Sequence, residues 1–438
     1  MAVIVHNQST DSGTGSQKRP SRLVEWRLLL LVGIYALIGA LALYYGSGET
    51  MDPKVIYACV LSVGAYFLVS IYWYFVRFQG DCFMLPIIAL LTTTGLVFLF
   101  RLDPEYGTRQ FYWLLIALGI LLLTTRLLIN FRFLSDYKYI FALLGMIALV
   151  LPVFIGNEQG GAKSWLDLGV FYVQPSEFVK VLLVLFLASY LSENRAMLTS
   201  GTGNIGRFNL PGLQEWGPLL VMWGISLLLL VFQKDLGAAL IYFSTFLTMV
   251  YVATSRLIYV FSGLVLFAGG VVVSYQIFDH VKVRMSTWIN PWITIDAGGY
   301  QITQSLFAIN AGGVLGSGLG LGFPNSIPAV HTDLIFSAIC EEMGLVGGVC
   351  LIVLYMLFMY LGIRVALRTK DEFAALAACG LTALLGLQVF IIIAGVTKFM
   401  PLTGITLPFV SYGGSSLVAN FVLLGLLLNI SHEGRISL

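Results

Sequence analysis

The sequence predicts an all-α polytopic membrane protein of about twelve transmembrane helices, and two observations carry that expectation. Of its 438 residues, 58% are hydrophobic and only 11% are charged, more apolar surface than a soluble chain of this size hides in one core. Apolar runs near or above the roughly 18–20 residues that cross a bilayer also recur along most of the chain. The runs fall at 26–46, 55–76, 82–100, 110–125, 139–156, 175–192, 217–233, 236–253, 257–278, 334–363, 374–395 and 412–430. Only Lys234 and Asp235 separate the seventh from the eighth. The longest connection between spans, 279–333, is expected outside the membrane, before the tenth helix.

Residues 1–25 begin with a Ser/Gly/Thr-rich stretch that reads as a disordered tail rather than a cleaved signal, because the first apolar run starts only near Trp26. The Lys/Arg bias places the N-terminus in the cytoplasm, with Arg22, Arg77, Arg126, Arg132, Arg195, Arg256 and Arg364 on that side. Lys163, Lys180, Lys234, Lys282, Arg284 and Lys398 break the rule and stand beside polar motifs; anion binding is the simplest reason for cations there. The five cysteines show no CxxC spacing and read as small core residues, and four scattered histidines argue against a histidine-rich metal site. A net charge of +2 gives no sign of a nucleic-acid partner.

Five stretches carry polar chemistry. In GGAKSWLDLGVFYVQPSEFVK (160–180), Pro175 suits a first helical turn, and Glu177 and Lys180 then share a face of that helix. An ammonium about 7–8 Å into a span needs a partner or a wet cavity, so the pair is either a structural lock between helices or one wall of an anion-binding cavity bordered by Trp165. FQKDLGAAL (232–240) places Lys234 and Asp235 in the outer turn between two spans, where a solvated turn and a functional role are equally expected. The segment 283–322 holds Arg284 and a glycine run, GSGLGLG, that lacks the GK[ST] ending of a phosphate-binding loop and fails GxGxxG; Gln301 to Asn310 is expected to lie along the interface. In IPAVHTDLIF (327–336), Asp333 is either a plain helix N-cap or a functional carboxylate, and Glu341 and Glu342 follow within the apolar span. TKFMPLTGITLPFVSYGGSSLVANF (397–421) interrupts the helices with Pro401, Pro408 and SYGGSS, and irregular backbone at that depth lines a cavity or is buried in protein.

Together these stretches resemble the SEDS family (shape, elongation, division and sporulation), which includes RodA, FtsW and SpoVE. The resemblance rests on GAKSWLDLG, QPSEFVK, QKDLG, NPW, GGYQITQS, the glycine run, IPAVHTDLIF-EEMGLVG and LPFVSYGGSS, in family order over about 160–420. Ser164 stands where the family often has Arg, and PAV precedes His331 where many members have PE. The resemblance implies a ten-helix glycosyltransferase core over 82–431, preceded by two added helices in 26–81 and followed by a short cytoplasmic tail, 432–438. It implies a peptidoglycan glycosyltransferase that polymerises lipid II at the outer face of the bacterial cytoplasmic membrane. Transfer would invert the anomeric carbon, with Asp333 as general base. Lys180 and Arg284 would hold pyrophosphate, Glu177 would position Lys180, and Asp235 and Glu341 would orient those cations or hold a divalent metal, Mg2+ or Mn2+. Trp165, Gln174, Ser176, Gln304, His331, Thr332, Lys398, Ser411 and Tyr412 complete the expected substrate contacts. A class B penicillin-binding protein is the implied partner. A flippase for the same lipid, or a scaffold of the wall-building machinery, is the competing expectation.

Overall fold

The computed structural model describes residues 22–46, 53–159, 162–167, 169, 172–200, 203–205, 208–210, 224, 228, 234–295 and 298–436. Within them lie 11 helices long and apolar enough to cross a membrane. They are α1 (Leu23–Gly46), α2 (Lys54–Phe75), α3 (Met84–Leu102), α4 (Pro104–Leu127), α5 (Lys138–Ile155), α6 (Pro175–Ser200), α7 (Leu236–Thr254), α8 (Leu257–Ile277), α11 (Ile335–Arg368), α12 (Glu372–Val396) and α13 (Gly414–Ile436). Two shorter helices, α9 (Asp279–Ile289) and α10 (Tyr300–Gly312), lie in the connection that follows α8. The expected span at 217–233 falls outside the described residues except at 224 and 228, as does most of the expected N-terminal tail. Every other expected span has its helix.

Short β ribbons flank α6. Asn157–Gln159, Ala162–Asp167 and Tyr172–Val173 form an antiparallel three-stranded ribbon before it, and Gly203–Ile205 pairs with Phe208–Leu210 after it. Pro175 opens α6, where its missing N–H costs nothing.

The helices differ sharply in how much protein surrounds them. In α13, 89% of the apolar stretch is buried, against 11% in α8; α13 is therefore the centre of the bundle and α8 is a face for lipid. Around α13 pack α4, α6, α11 and α12, and α1 and α2 pack on α3 and α4. With no hydrophobic force between helices in lipid, packing and interhelical hydrogen bonds must hold them. Tyr66 and Thr92 join α2 to α3 at 2.7 Å, and Trp73 donates to Thr125 of α4 at 3.2 Å.

Charge collects at the two ends of the bundle. At the end that carries both described termini, Arg22 pairs with Glu25 and donates to the Phe78 carbonyl, Phe78 stacks on His432, and Arg364 pairs with Asp81. This fastens the two N-terminal helices to the rest. At the opposite end, α11 contains a break at Gly344, whose φ is +68°. The glycine run docks on that break. Glu342 accepts from the Gly320 amide at 3.0 Å and pairs with Arg101 of α3 at 3.0 Å, while Glu341 accepts from the Phe323 amide at 2.8 Å. Arg101 also donates to the Gly322 carbonyl at 2.9 Å. The two glutamates thus satisfy loop amides that lack a partner in any helix.

The Arg101–Glu342 pair is therefore expected to matter for stability. Arg101→Ala leaves a carboxylate with a fully buried side chain facing its loop without a counter-ion, which typically costs about 3–5 kcal/mol. Removing the cation of the exposed Lys282–Asp279 pair should leave the unfolding midpoint unchanged. Thermal unfolding of the purified protein and both variants in detergent checks the contrast.

Candidate functional site

At the end of the bundle remote from the termini, the helices splay around an open cavity of about 1210 Å³. Its walls come from the start of α4, the ribbon before α6, the first turns of α6 and α7, helix α9, the 328–333 loop and the 400–414 segment. These are the stretches in which polar residues interrupt the apolar pattern.

Asp333 is not a helix cap. The helix that follows it begins at Ile335, its capping position is Leu334, and no side chain there accepts from the first turn. The half-buried Asp333 faces the cavity, with Oδ1 taking a 2.9 Å hydrogen bond from the Thr332 hydroxyl. Burial pushes its carboxyl above the usual range, partly offset by that hydrogen bond and by the charge of Arg284.

Arg284, on α9, is the cation whose charge acts on this carboxylate. The Leu402 and Thr403 carbonyls accept from its Nη1 at 3.0 and 2.9 Å, so the guanidinium is aimed by backbone rather than by a salt bridge. Burial lowers its pKa, opposed by Asp235 and Asp333; its ordinary value is so high that it stays charged. Both groups meet at Gly404. A Cβ there would lie 3.8 Å from Arg284 Nη2 and 3.9 Å from Asp333 Oδ2, and φ at Gly404 is +71°, which disfavours any side chain.

Behind this pair lies a polar brace. Lys180 donates to Glu177 at 2.6 Å and to Gln388 of α12 at 2.8 Å, and Gln388 donates onward to the Thr406 carbonyl at 2.9 Å. Glu177 and Lys180 are thus a lock between helices and also part of the cavity wall. Lys180 is almost fully enclosed, and Glu177 and Gln388 take two of its three donors. Asp235 is no solvated turn residue: it is buried, caps α7 through the Ala238 amide at 3.0 Å, and accepts from Gln174 at 3.0 Å and Ser176 at 3.4 Å. Burial raises its carboxyl as well.

The opposite wall is aromatic. Tyr106 of α4 stacks on His331 with centroids 4.2 Å apart and lies 5.0 Å from the Tyr412 ring, and the Tyr412 amide donates to the His331 carbonyl at 2.8 Å. Burial holds the His331 imidazole below its ordinary pKa, so it is neutral at physiological pH. Trp113 extends this wall over Gly414, where a Cβ would come within 2.1 Å of the indole. The second glycine of SYGGSS is there to admit that ring.

Of the residues expected from sequence, the cavity brings together Trp165, Gln174, Ser176, Glu177, Lys180, Asp235, Arg284, His331, Thr332, Asp333 and Tyr412. Gln304, Glu341, Lys398 and Ser411 do not line it. Gln301 of the same helix reaches the rim in place of Gln304, donating to the Pro328 carbonyl at 3.2 Å. Glu341 is occupied with the glycine loop. Lys398 contributes its carbonyl, which accepts from Trp288 at 3.1 Å. The Ser411 hydroxyl accepts from the Leu407 amide at 2.9 Å and shapes the turn. Tyr106, Arg109 and Trp113 line the cavity without having been expected as contacts, and Lys234, one of the cations expected to bind an anion, lines it too. A Tyr and an Arg three apart at a span end were the available signal, but they also suit an interfacial belt.

The donor set does not suit a resident metal. Among the described residues no three His, Cys, Asp or Glu side chains converge, and Glu177 and Asp235 are already engaged with Lys180, Gln174, Ser176 and the Ala238 amide. A divalent cation could be held only jointly with anionic oxygens of a ligand.

Comparison with known proteins is consistent with this geometry. Residues 81–436 match the family model described as cell cycle protein, FtsW/RodA/SpoVE. The chain is 43% identical over 368 residues to the peptidoglycan glycosyltransferase RodA of Mycobacterium tuberculosis, covering 81% of this chain and 78% of that protein. It is 36% identical over 293 residues to stage V sporulation protein E of Bacillus subtilis, covering 66% and 77%. Among solved structures it resembles a chain from a study of the structural coordination of polymerization and crosslinking by a peptidoglycan synthase complex, with a TM-score of 0.66 at 28% identity over 81% of this chain and 98% of that one. The crystal structure of Thermus thermophilus rod shape determining protein RodA matches with a TM-score of 0.56 at 29% identity, over 81% and 97%.

The raised carboxyl of Asp333 has a stability consequence with a definite sign. Because its folded pKa lies above the unfolded value, its contribution is most favourable below the unfolded pKa and is lost as pH rises through the folded one. Asp333→Asn should therefore unfold at the same temperature as the parent or higher at neutral pH, and the gap should close as pH falls towards 4. Thermal unfolding across pH 4–8 measures it, and a destabilised Asn variant at neutral pH would contradict the assignment.

Proposed function

The chain belongs to the SEDS family of peptidoglycan glycosyltransferases, and from that premise we propose that it polymerises lipid II with Asp333 as the general base. The observation that supports this reading best is the convergence of Asp333 and Arg284 on Gly404. In glycan-strand synthesis the GlcNAc O4 of one lipid-linked unit attacks the anomeric MurNAc carbon of another. The nucleophile must lose a proton while a pyrophosphate leaves, and the reacting atoms approach to roughly 3–3.5 Å. Base and cation therefore have to stand side by side, as these two residues do.

In the proposed step the Asp333 carboxylate takes the O4 proton as the O4–C1 bond forms. The C1–O bond breaks and its electron pair leaves on undecaprenyl pyrophosphate, whose growing charge is met by Arg284 and by the spare donor of Lys180. Attack opposite the leaving group converts the α-linked donor to a β-linked product by single displacement. A raised carboxyl is the better base near neutral pH, since catalytic efficiency is greatest when the pKa approaches the working pH. The backbone clamp on Arg284 fixes the cation before the charge develops, which is how preorganised electrostatics lower a barrier. No step runs through a metal.

The isoprenoid tails stay in lipid, alongside apolar surfaces such as α8. Basic residues gathered at the end that carries the termini support a cytoplasmic N- and C-terminus and an outward-facing cavity. A transpeptidase of the class B penicillin-binding type is the proposed partner, because the similar structure mentioned above comes from a complex in which polymerization and crosslinking are coordinated.

Protein in liposomes with fluorescent lipid II tests the proposal. Asp333→Asn should lower polymer formation by about 10²–10⁴-fold, and Arg284→Ala by about 10²–10³-fold. Parental activity should fall on the acid side at a pH above the ordinary carboxylate range. Lipid translocation without polymer would favour a flippase, and normal growth of cells carrying only Asp333→Asn would favour a scaffold.

A further inference from the structure

The polymerase reaction joins two lipid-linked headgroups, so the cavity must hold two at once. The charged side of the site accounts for one of them: Arg284 and Lys180 face the leaving pyrophosphate of the donor. The acceptor presents a different chemistry near the reacting atoms. Its reacting end is an uncharged GlcNAc whose O4 must touch Asp333, and a pyranose has an apolar face that packs on aromatic rings.

We propose that Tyr106, His331 and Tyr412 form the acceptor-sugar subsite, on which the GlcNAc ring rests with its 4-hydroxyl directed at Asp333. This rests on the polymerase reading and deepens it. Three half-buried rings from chain segments about 80 to 300 positions apart meet on one cavity wall. Tyr412 also packs against the hydrophobic core, which anchors the cluster at the rim. Tyr106 and His331 stack nearly parallel, 15° apart, and His331 and Tyr412 meet edge-on at 63°, so the shelf is rigid.

Its distance from the base is fixed as well. His331 is two residues before Asp333, and the Tyr412 amide holds the His331 carbonyl at 2.8 Å. A ring seated there is held beside the carboxylate by main-chain geometry rather than by a flexible side chain. At the outer edge the exposed Arg109 lies beside Tyr412 on the cavity wall and pairs with Glu105, placing a cation where anionic groups attached to the acceptor would run. The shelf is thus an aromatic wall for a sugar ring in the same cavity as Asp333.

A coupling of two blocked substrates separates the two subsites. The donor is lipid II methylated at GlcNAc O4, which cannot accept. The acceptor is a lipid II analogue with a carbon in place of the anomeric oxygen, which cannot leave. One coupling follows, and each KM is read in turn with full-length protein in liposomes. Tyr106→Ala should raise the acceptor KM about tenfold, the size expected of one aromatic contact, and leave the donor KM within about twofold. Tyr106→Phe should restore the parental values, and Tyr412→Leu should repeat the Ala signature if Tyr106→Ala does not fold. Arg284→Ala should act on the donor side. A donor KM that rises as much as the acceptor KM, or an acceptor KM unchanged in both shelf variants, overturns the subsite. Parental protein that couples nothing overturns the polymerase reading, and the subsite falls with it.

Discussion

A carboxylate at the lip of an apolar helix is costly to keep charged, and the architecture around Asp333 leaves that cost only partly offset, so the carboxyl stays basic. A direct bidentate salt bridge would stabilise the charge and also lower its basicity. The chain instead gives Arg284 to two backbone carbonyls and leaves Asp333 a single hydroxyl donor from Thr332. Gly404 lets the segment carrying those carbonyls pass between them. The polar brace behind, from Glu177 through Lys180 and Gln388 to Thr406, fixes α6, α12 and that same segment relative to one another.

The glycine run serves this arrangement from a distance. Glu341 and Glu342 pin it to the broken α11, and Arg101 pins it to α3. The loop that leaves this anchor carries His331, Thr332 and Asp333 to the cavity. The same logic gives the prolines and SYGGSS their place, since Pro408 accepts from Tyr355 at 2.5 Å and Ser411 closes the turn that presents Tyr412.

Much of the fold was legible in the sequence because lipid imposes one rule on every spanning segment, and the apolar runs obey it. The motif clusters were legible too: QPSEFVK and HTDLIF each contribute to the cavity they suggested. The failures have physical causes. Glu341 and Glu342 carry the composition of a charged site, but the partners that absorb them are loop amides, which no side-chain pattern reveals. Asp235 read equally well as a solvated turn because burial depends on Gln174 and Ser176, some sixty positions earlier. Tyr106 and Arg109 stand in no motif, and only the fold brings them to the cavity wall with His331 and Tyr412. Gln304 lies one helical turn from Gln301, which reaches the cavity rim.

The most direct test of the account is a structure of the Asp333→Asn protein with lipid II bound in a lipid nanodisc. The account predicts a sugar hydroxyl within about 2.6–3.2 Å of the residue 333 side chain and a pyrophosphate on Arg284. Saccharide density elsewhere on the molecule, with both side chains facing empty solvent, would contradict it.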